Sequence, residues 1–234
     1  ERPIALTPSA PRPAPRPPLA HRPRKLALTR ITTLIRDPYA IYARYILRLK
    51  KLDPLHRTAD ARLRGSLLHE ILETFVKQRQ PETRPEARAR LLRIAESVLQ
   101  AQVPWPAART LWLSRMERAA DFFLDHDGID GGAPVGIEKT GEVALTPLDF
   151  ALYGTPDRID LLPDGRLHIL DYKTGTPPTP KQQEQFDKQL LLAAAMAERG
   201  GFAELGFADV ARISYVGLGS TPKLVATEIT PAIT

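Results

Sequence analysis

Cysteine is absent from the 234 residues of this sequence. Disulfide bridges, zinc–thiolate sites and iron–sulfur clusters are therefore excluded, because all of them need cysteine sulfur. Apolar residues never continue for the roughly 18 positions that a membrane-spanning helix requires, so we expect no membrane partner. The string G-x-x-x-x-G-K-[S/T] is missing as well, which indicates that this stretch encodes no P-loop motor driven by ATP.

An initial methionine is also lacking, and no signal-peptide pattern follows Glu1. Both observations favour a piece of a longer protein. Residues 1–25 are rich in proline and arginine without apolar periodicity, which predicts a semi-extended linker to an upstream domain. Residues 26–234 are predicted to form one domain, with a helical part over 26–127 and a sheet core over 135–234.

The composition of the chain is typical of a globular domain that binds a polyanion. Apolar residues make up 43% of the sequence, which is enough for a sizeable core. The formal net charge is +6 and the isoelectric point is near 9.7. Such a balance gives mild support for DNA as the partner.

The apolar periodicity predicts the secondary structure. Helical spacing between Pro and Gly breaks predicts helices over residues 28–36, 38–47, 61–76, 84–101, 107–125 and 181–199. Alternating apolar residues predict strands over residues 135–146, 158–162, 167–171, 210–217 and 223–229. Glu138 falls within the first of these predicted strands.

The most informative stretch is GTPDRIDLLPDGRLHILDYK, residues 154–173. It is typical of two strands joined by a Pro-Asp-Gly turn. Asp157 precedes the first strand, and Asp171 lies near the end of the second. Because side chains alternate along a strand, Asp171 and Lys173 should lie on one face and Tyr172 on the other.

Two neighbouring carboxylates repel each other unless a cation compensates their charge. Oxygen ligands suit a hard ion such as Mg²⁺ or Mn²⁺, which takes further ligands from water and phosphate. Lys173 beside such an ion could orient or activate a water molecule. The pattern therefore indicates metal-assisted hydrolysis of a phosphodiester. A structural alternative is that Asp157 caps the hairpin and that Asp171 and Lys173 form a surface ion pair.

Pro156-Asp157 followed by Asp171-Tyr172-Lys173 resembles the signature of the PD-(D/E)xK nuclease superfamily. Gly154-x-x-Asp157-Arg158-Ile159-Asp160 and Asp171-Tyr172-Lys173-Thr174-Gly175 are similar to its RecB-type branch. This resemblance implies a restriction-endonuclease-like α/β core, in which a mixed central sheet is flanked by helices, with an N-terminal helical insertion.

The resemblance also implies roles for individual residues. Asp157 and Asp171 would bind the metal with His69, which ends a Gly65-x-x-x-His69 element, and with the carbonyl oxygen of Tyr172. Lys173 would position the water. On spacing alone, a histidine at the solvent edge or in a cap is a more common role for His69 than a metal ligand.

Further positions are carried over from the family with alternatives still open. Glu138 is a candidate accessory carboxylate, or else a surface partner of Lys139 or Arg158. Gln189 matches a Gln-x-x-x-Tyr element in part, because Leu192 and Ala193 stand where the tyrosine would fall. Gln189 would assist at the substrate or contact the catalytic lysine. The implied DNA contacts are Arg158, Thr174 and Lys181.

The segment from Leu28 to Ala43, with Arg36-Asp37-Pro38-Tyr39 at its centre, resembles the beginning of nuclease domains of the AddB type. Iron–sulfur members carry a cysteine where Asp37 stands, so this chain resembles the cluster-free branch, and something else must hold the domain ends together. The resemblance implies single-stranded DNA ends as substrate, an AddA-type helicase–nuclease subunit as partner, and a bacterial, nucleoid-associated cytoplasmic location. The alternatives are a stand-alone RecB-like exonuclease and a non-catalytic DNA-binding or bracing domain.

Overall fold

The computed structural model describes residues 9–10, 14–52, 54–56, 58–128 and 130–230. The strands are β1 (Lys25–Ala27), β2 (Ala133–Ile137), β3 (Gly141–Leu145), β4 (Phe150–Gly154), β5 (Arg158–Leu161), β6 (Leu167–Lys173), β7 (Val210–Gly217) and β8 (Lys223–Glu228). Five of them form a sheet in the order β2-β5-β6-β7-β8, in which only β6 and β7 pair in parallel. A second sheet has the order β1-β4-β3. The predicted mixed α/β fold is confirmed, with two mixed sheets where one was expected.

Several of the helices begin at residues whose side chains form hydrogen bonds with the first turn. They are α1 (Leu28–Arg36), α2 (Pro38–Tyr45), α3 (Ala61–Lys77), α4 (Arg84–Gln102), α5 (Pro106–His126), α6 (Pro180–Gln185) and α7 (Gln189–Glu198). The carboxylates of Asp37 and Asp60 accept hydrogen bonds from the first turns of α2 and α3. Thr83 and Glu86 form a capping box at α4. No helix in these described ranges is long and apolar enough to cross a membrane.

Both faces of the five-stranded sheet are covered by helices. On one face, Ile169 and Ile213 pack in a cluster with α7 residues such as Met196. On the other face, Leu170 and Tyr172 belong to a cluster with residues of α3, α4 and α5. Burial on both faces explains why β6 is apolar at nearly every position up to Asp171. Helices α3, α4 and α5 therefore form the predicted helical insertion, stacked on the sheet.

The predicted strand over residues 135–146 is wrong, because the chain changes sheet in its middle. β2 pairs with β5, whereas β3 pairs with β4 of the smaller sheet. Glu138 lies between them with a left-handed backbone, φ 50°, which ends the strand. Its N–H donates to the carbonyl oxygen of Asp157 at 3.1 Å. The turn therefore places Glu138 beside Asp157.

The predicted helix over residues 181–199 is also wrong, because it is broken into α6 and α7. Phe186 leaves the helical conformation with φ −152° and ψ −21°. The Tyr215 hydroxyl donates to Asp187 at 3.2 Å, and the guanidinium of Arg36 lies 4.8 Å from the centre of the Phe186 ring. These tertiary contacts stabilise the break. Gly200, with φ +70°, ends α7 as expected.

The N-terminal segment contributes to the sheet layer. Of the predicted linker, residues 1–8 and 11–13 lie outside the described residues, as do residues 231–234 of the predicted domain. Leu19–His21 forms a 3₁₀ turn, and Lys25 already pairs in parallel with Ala151 of β4. Helix α1 contacts α7 and β4, so it belongs spatially with the sheet core rather than with α3–α5.

Candidate metal and active site

The hairpin of β5 and β6 brings Asp157, Asp171 and Lys173 together, as predicted. Arg158 pairs with Leu170 in this hairpin, so Asp157 at the next position lies opposite Asp171. Lys173 Nζ lies 2.6 Å from Asp171 Oδ2, which confirms that both side chains occupy one face. Tyr172 points to the other face, where its ring packs edge-on against Phe123.

The two acidic residues are buried, with Asp157 8% exposed and Asp171 2% exposed. Asp171 is therefore an interior group, so the contact that it makes with Lys173 is not the surface ion pair of the structural alternative. Oδ2 of Asp171 is enclosed and has no aligned hydrogen-bond donor among the described residues, although the Lys173 ammonium is close. The two observations are compatible, because an ion pair needs proximity whereas a hydrogen bond also needs alignment.

Helix α3 brings His69 to the same point. His69 Nδ1 lies 3.0 Å from Asp157 Oδ1 and 3.8 Å from Glu138 Oε1. One ligand atom from each of His69, Glu138 and Asp157 lies within 4.8 Å of the others. Glu138 pairs with neither Lys139 nor Arg158, because Lys139 contacts Glu204 and Arg158 contacts Asp160 and Asp127. The turn after β2 therefore brings the Glu138 carboxylate into the cluster.

The electrostatics of this cluster favour a positive charge at its centre. Burial by itself lowers the pKa of His69, but hydrogen bonds to Asp157 and Glu138 outweigh it and raise the pKa to about 10. Burial, followed by the charge of Asp157, raises the pKa of Asp171. Lys173 and His69 oppose that rise. The carboxylates thus favour a positively charged group among them.

Gln189 and Tyr172 complete the surroundings of the two aspartates. Gln189 opens α7, and its Nε2 donates to Asp171 Oδ1 at 2.8 Å. It therefore contacts the carboxylate and not the lysine. The backbone N–H of Tyr172 donates to Asp157 Oδ2 at 2.5 Å. Since the N–H and C=O groups of a strand residue point to the same edge, the Tyr172 carbonyl faces the side where Asp157 lies.

The three residues that were expected to contact DNA differ in how exposed they are. Thr174 is half-buried and directly follows Lys173, and Lys181 is exposed in the first turn of α6. Arg158 is 1% exposed. Its guanidinium donates to both carboxylate oxygens of Asp160 and to Asp127. An enclosed, fully paired guanidinium does not reach a phosphate, so the expectation that Arg158 contacts DNA is corrected.

One neighbour of the site was missed in the sequence. Tyr215 of β7 pairs directly with Asp171, and its ring centre lies 5.6 Å from Lys173 Nζ. Such a face-on cation contact restrains the ammonium. Strand β7 follows β6 only after α6 and α7, and no local pattern gives the register of parallel strands. The sequence therefore carried no signal for this contact.

The donor set fits a hard divalent cation. The His69 imidazole and the carboxylates of Glu138 and Asp157 converge, and the buried Asp171, opposite Asp157 in the hairpin, has one carboxylate oxygen without an aligned donor among the described residues. Oxygen ligands with one nitrogen suit Mg²⁺ or Mn²⁺. A cation here would replace the proton that His69 holds. A lysine next to the same carboxylates could then bind the water that attacks a phosphorus atom.

Comparison with known proteins agrees with this chemistry. A family model described as the PD-(D/E)XK nuclease superfamily matches residues 25–232. An uncharacterized protein of Rickettsia bellii is 29% identical over 185 residues, which are 77% of this chain and 22% of that protein. One subunit of an ATP-dependent helicase/deoxyribonuclease from Streptococcus equi subsp. zooepidemicus is 28% identical over 158 residues.

The matched regions are short parts of these relatives. The streptococcal alignment covers 66% of this chain and 14% of that subunit. The chain therefore spans less than a quarter of the length of either relative. A solved structure named "Crystal structure of SSO0001" aligns over 72% of this chain and 78% of its own, with 12% identity and a TM-score of 0.28. That likeness is too weak to support a conclusion.

Proposed function

Because the chain belongs to the PD-(D/E)XK nuclease superfamily, we propose that it is a deoxyribonuclease that hydrolyses phosphodiester bonds with Mg²⁺ or Mn²⁺. The fold of that superfamily is the restriction-endonuclease-like core that the mixed sheet and its flanking helices form here. The observation that carries the proposal is the convergence of His69, Asp157, Asp171 and Lys173, from α3 and from both strands of one hairpin.

Each residue has a role in the proposed reaction. Asp157, Asp171 and His69 bind the metal, with the Tyr172 carbonyl as a further ligand and Glu138 as an accessory carboxylate. The bound metal would polarise the phosphate and stabilise the charge that develops on its oxygens. Lys173 holds the attacking water through its ammonium, and the contact with Tyr215 restrains that ammonium. Gln189 positions Asp171 through its hydrogen bond. Thr174 and Lys181 would contact the DNA backbone.

The relatives support a proposal for the biological setting. Similarity to a subunit of a helicase/deoxyribonuclease supports action on single-stranded DNA ends, beside an AddA-type helicase–nuclease subunit. The setting would be double-strand break repair by recombination in the bacterial cytoplasm. The net charge of +6 favours association with DNA.

The first test measures metal binding and cleavage on the same protein. Calorimetry with Mn²⁺ is run on the wild-type chain and on Asp171→Asn, Lys173→Gln and Asp164→Asn. Asp164 is the matched control, because it is an exposed aspartate in the turn of the same hairpin. Cleavage of single-stranded DNA is measured in parallel.

Wild type and Asp164→Asn are expected to bind Mn²⁺ equally. Asp171→Asn should lose binding and cleavage, because it removes a ligand charge from a buried site. Lys173→Gln should keep most of the binding and cleave about 10²-fold or more slowly, since only the water-positioning group is lost. Full cleavage by Asp171→Asn, or a wild-type chain that binds no Mn²⁺, would refute the site.

A further inference from the structure

A cavity of about 360 Å³ lies beside the candidate active site. Its walls come from α3 and α5, and its rim comes from the loops that follow β6 and β7. Small-ligand sites in proteins begin near this size. None of the residues placed in the metal site lines it, so the cavity is a separate feature of the molecule.

The rim of the cavity is connected to the catalytic strand β6 by a hydrogen bond and by close packing of two loops. Leu218 N donates to Lys173 O at 2.7 Å, which joins the two loops. A Cβ at Gly219 would lie 3.3 Å from Thr174 O, so this glycine allows the loops to approach closely. Thr174 lines the cavity and is the neighbour of Lys173. The rim of the cavity therefore begins at the residue that follows the catalytic lysine.

Helix α3 contributes residues to both the cavity and the metal cluster. Arg64 lines the cavity, and His69 belongs to the metal cluster. Five residues of α-helix span about 7.5 Å along the axis. The two side chains are also turned by roughly 140° about that axis, so a ligand that contacts both would pass partly around α3.

The residues that line the cavity carry positive charge and no negative charge. Arg64 and Arg115 both line it, and none of the residues around it carries a carboxylate. Neither guanidinium has an acidic partner within 4.0 Å in the part of the chain that the structure describes. The Nε atom of Arg64 is enclosed and has no hydrogen-bond partner among those residues. Burial and the charge of Arg115 lower the pKa of Arg64.

Two unpaired guanidinium groups side by side select an anion, and phosphate is the anion that they match best. The remaining lining shows that an anion alone would not fill the space. Trp112, Met116 and Leu67 form an apolar wall, and Ser220 and Thr221 add hydroxyl groups at the rim. A ligand with a phosphate at one end and a flat, largely apolar body with polar edges fits this lining.

We propose that this cavity binds one unstacked nucleotide of a DNA single strand, adjacent to the phosphodiester that the active site cleaves. Arg64 and Arg115 bind its phosphate, and the wall formed by Trp112 and Met116 contacts its base. The assignment rests on the proposed nuclease function and adds the place where a nucleotide beside the cleaved bond is held. A base in an intact duplex stays stacked and does not enter, so the cavity selects single strands or frayed ends.

The test uses tryptophan fluorescence, because the chain has two tryptophans and one of them lines the cavity. In a Trp105→Phe background, Trp112 alone reports binding. The probe is a single-stranded oligo(dT) of about eight nucleotides, titrated in EDTA so that cleavage cannot interfere. A blunt duplex of the same length is titrated in parallel. Arg64→Ala, Arg64→Lys and Arg115→Ala are compared with Arg62→Ala, which removes an exposed arginine from the same helix.

The single strand is expected to change Trp112 fluorescence, whereas the duplex is not. Arg64→Ala and Arg115→Ala should each weaken binding about tenfold or more, as loss of a charged hydrogen bond does. Arg64→Lys should lose less, and Arg62→Ala should change affinity by no more than about twofold. Thermal unfolding of each variant checks that the fold is intact.

Three results would overturn the proposal. In the first, Arg64→Ala binds the single strand as tightly as Arg62→Ala does. In the second, the single strand binds without changing Trp112 fluorescence. In the third, the Trp105→Phe chain does not bind the single strand at all. The nuclease assignment is judged separately by cleavage with Mn²⁺. A chain that cleaves without using the cavity refutes only this inference, and a chain that fills the cavity but never cleaves refutes only the nuclease assignment.

Discussion

At the scale of single residues, Arg158 is a charged group enclosed almost completely by protein. Its side chain is 2% exposed and meets Asp160, 4% exposed, and Asp127, 11% exposed. Desolvation works against the charge of Arg158, but the neighbouring acidic groups outweigh it and raise its pKa. A buried ion pair adds little net stability, yet removing one partner leaves the other charge buried and unpaired.

Arg158→Met is therefore expected to lower the free energy of unfolding by about 3–5 kcal/mol. Urea unfolding followed by circular dichroism measures the change. Arg166→Met is the matched control. Arg166 forms an ion pair with Asp164, two residues away in the same hairpin, but this pair lies at the exposed turn. No measurable change is expected for the control. Equal effects of the two variants would contradict the role assigned to burial.

His168 should make stability depend on pH. Burial first, and then the charge of Arg212, lower its pKa from 6.5 to about 4, while Asp130 opposes them. The folded protein thus holds the imidazole neutral, with Nε2 2.8 Å from the Ser214 hydroxyl oxygen. Stability from this group is fully present above pH 6.5 and is lost as the pH falls toward 4. The loss is on the order of 3 kcal/mol.

His168→Gln should flatten the fall in unfolding free energy between pH 6.5 and pH 4, because glutamine keeps a polar partner for Ser214 and does not titrate. Urea unfolding at several pH values measures the slope. His21→Gln, which removes an exposed imidazole, controls for the loss of a histidine. Parallel wild-type and His168→Gln profiles would count against the neutral buried imidazole.

At the scale of elements, local contacts could be read from the sequence and distant ones could not. The β5–β6 hairpin was predictable because a Pro-Asp-Gly turn fixes its register, and with it the meeting of Asp157 and Asp171. The left-handed turn at Glu138 and the break before Gln189 depend on residues far along the chain. The cavity between α3, α5 and two loops depends on packing across the whole helical layer, so its arginines gave no signal.

Gly65 in α3 offers a prediction for one element. A Cβ at this position would meet nothing within 4 Å, and alanine restricts the unfolded chain more than glycine does. Gly65→Ala should therefore raise the free energy of unfolding by about 0.5–1 kcal/mol. Gly154→Ala is the contrasting variant, because its Cβ would lie 2.6 Å from Leu28, and it should destabilise. A Gly65→Ala protein that is less stable than wild type would show that the helix is constrained in some other way.

At the scale of the whole molecule, the two ends of the domain are joined by apolar packing. Leu28 at the start of α1 and Ile229 after β8 belong to one hydrophobic cluster, together with residues of β6, β7 and α7. Strand β1, just before Leu28, pairs with β4. Since the sequence has no cysteine, this hydrophobic cluster joins the two ends without a disulfide or a metal–thiolate link.

Leu28→Ala should therefore destabilise the entire domain and not only its first helix. Leu28 is 3% exposed and fills the space above Gly154, so its truncation leaves a cavity where α1 meets the sheet. A loss of about 2–5 kcal/mol in unfolding free energy is expected. Leu34→Ala on the same helix, where Leu34 is 39% exposed, should cost much less. Hydrogen exchange of the Leu28→Ala variant distinguishes the two cases. If exchange rises only near α1 and the β6 and β7 amides stay protected, the two ends of the domain are not coupled through this hydrophobic cluster. Exchange that rises together in β1, β6 and β7 would show that closing the ends and folding the catalytic sheet are one event.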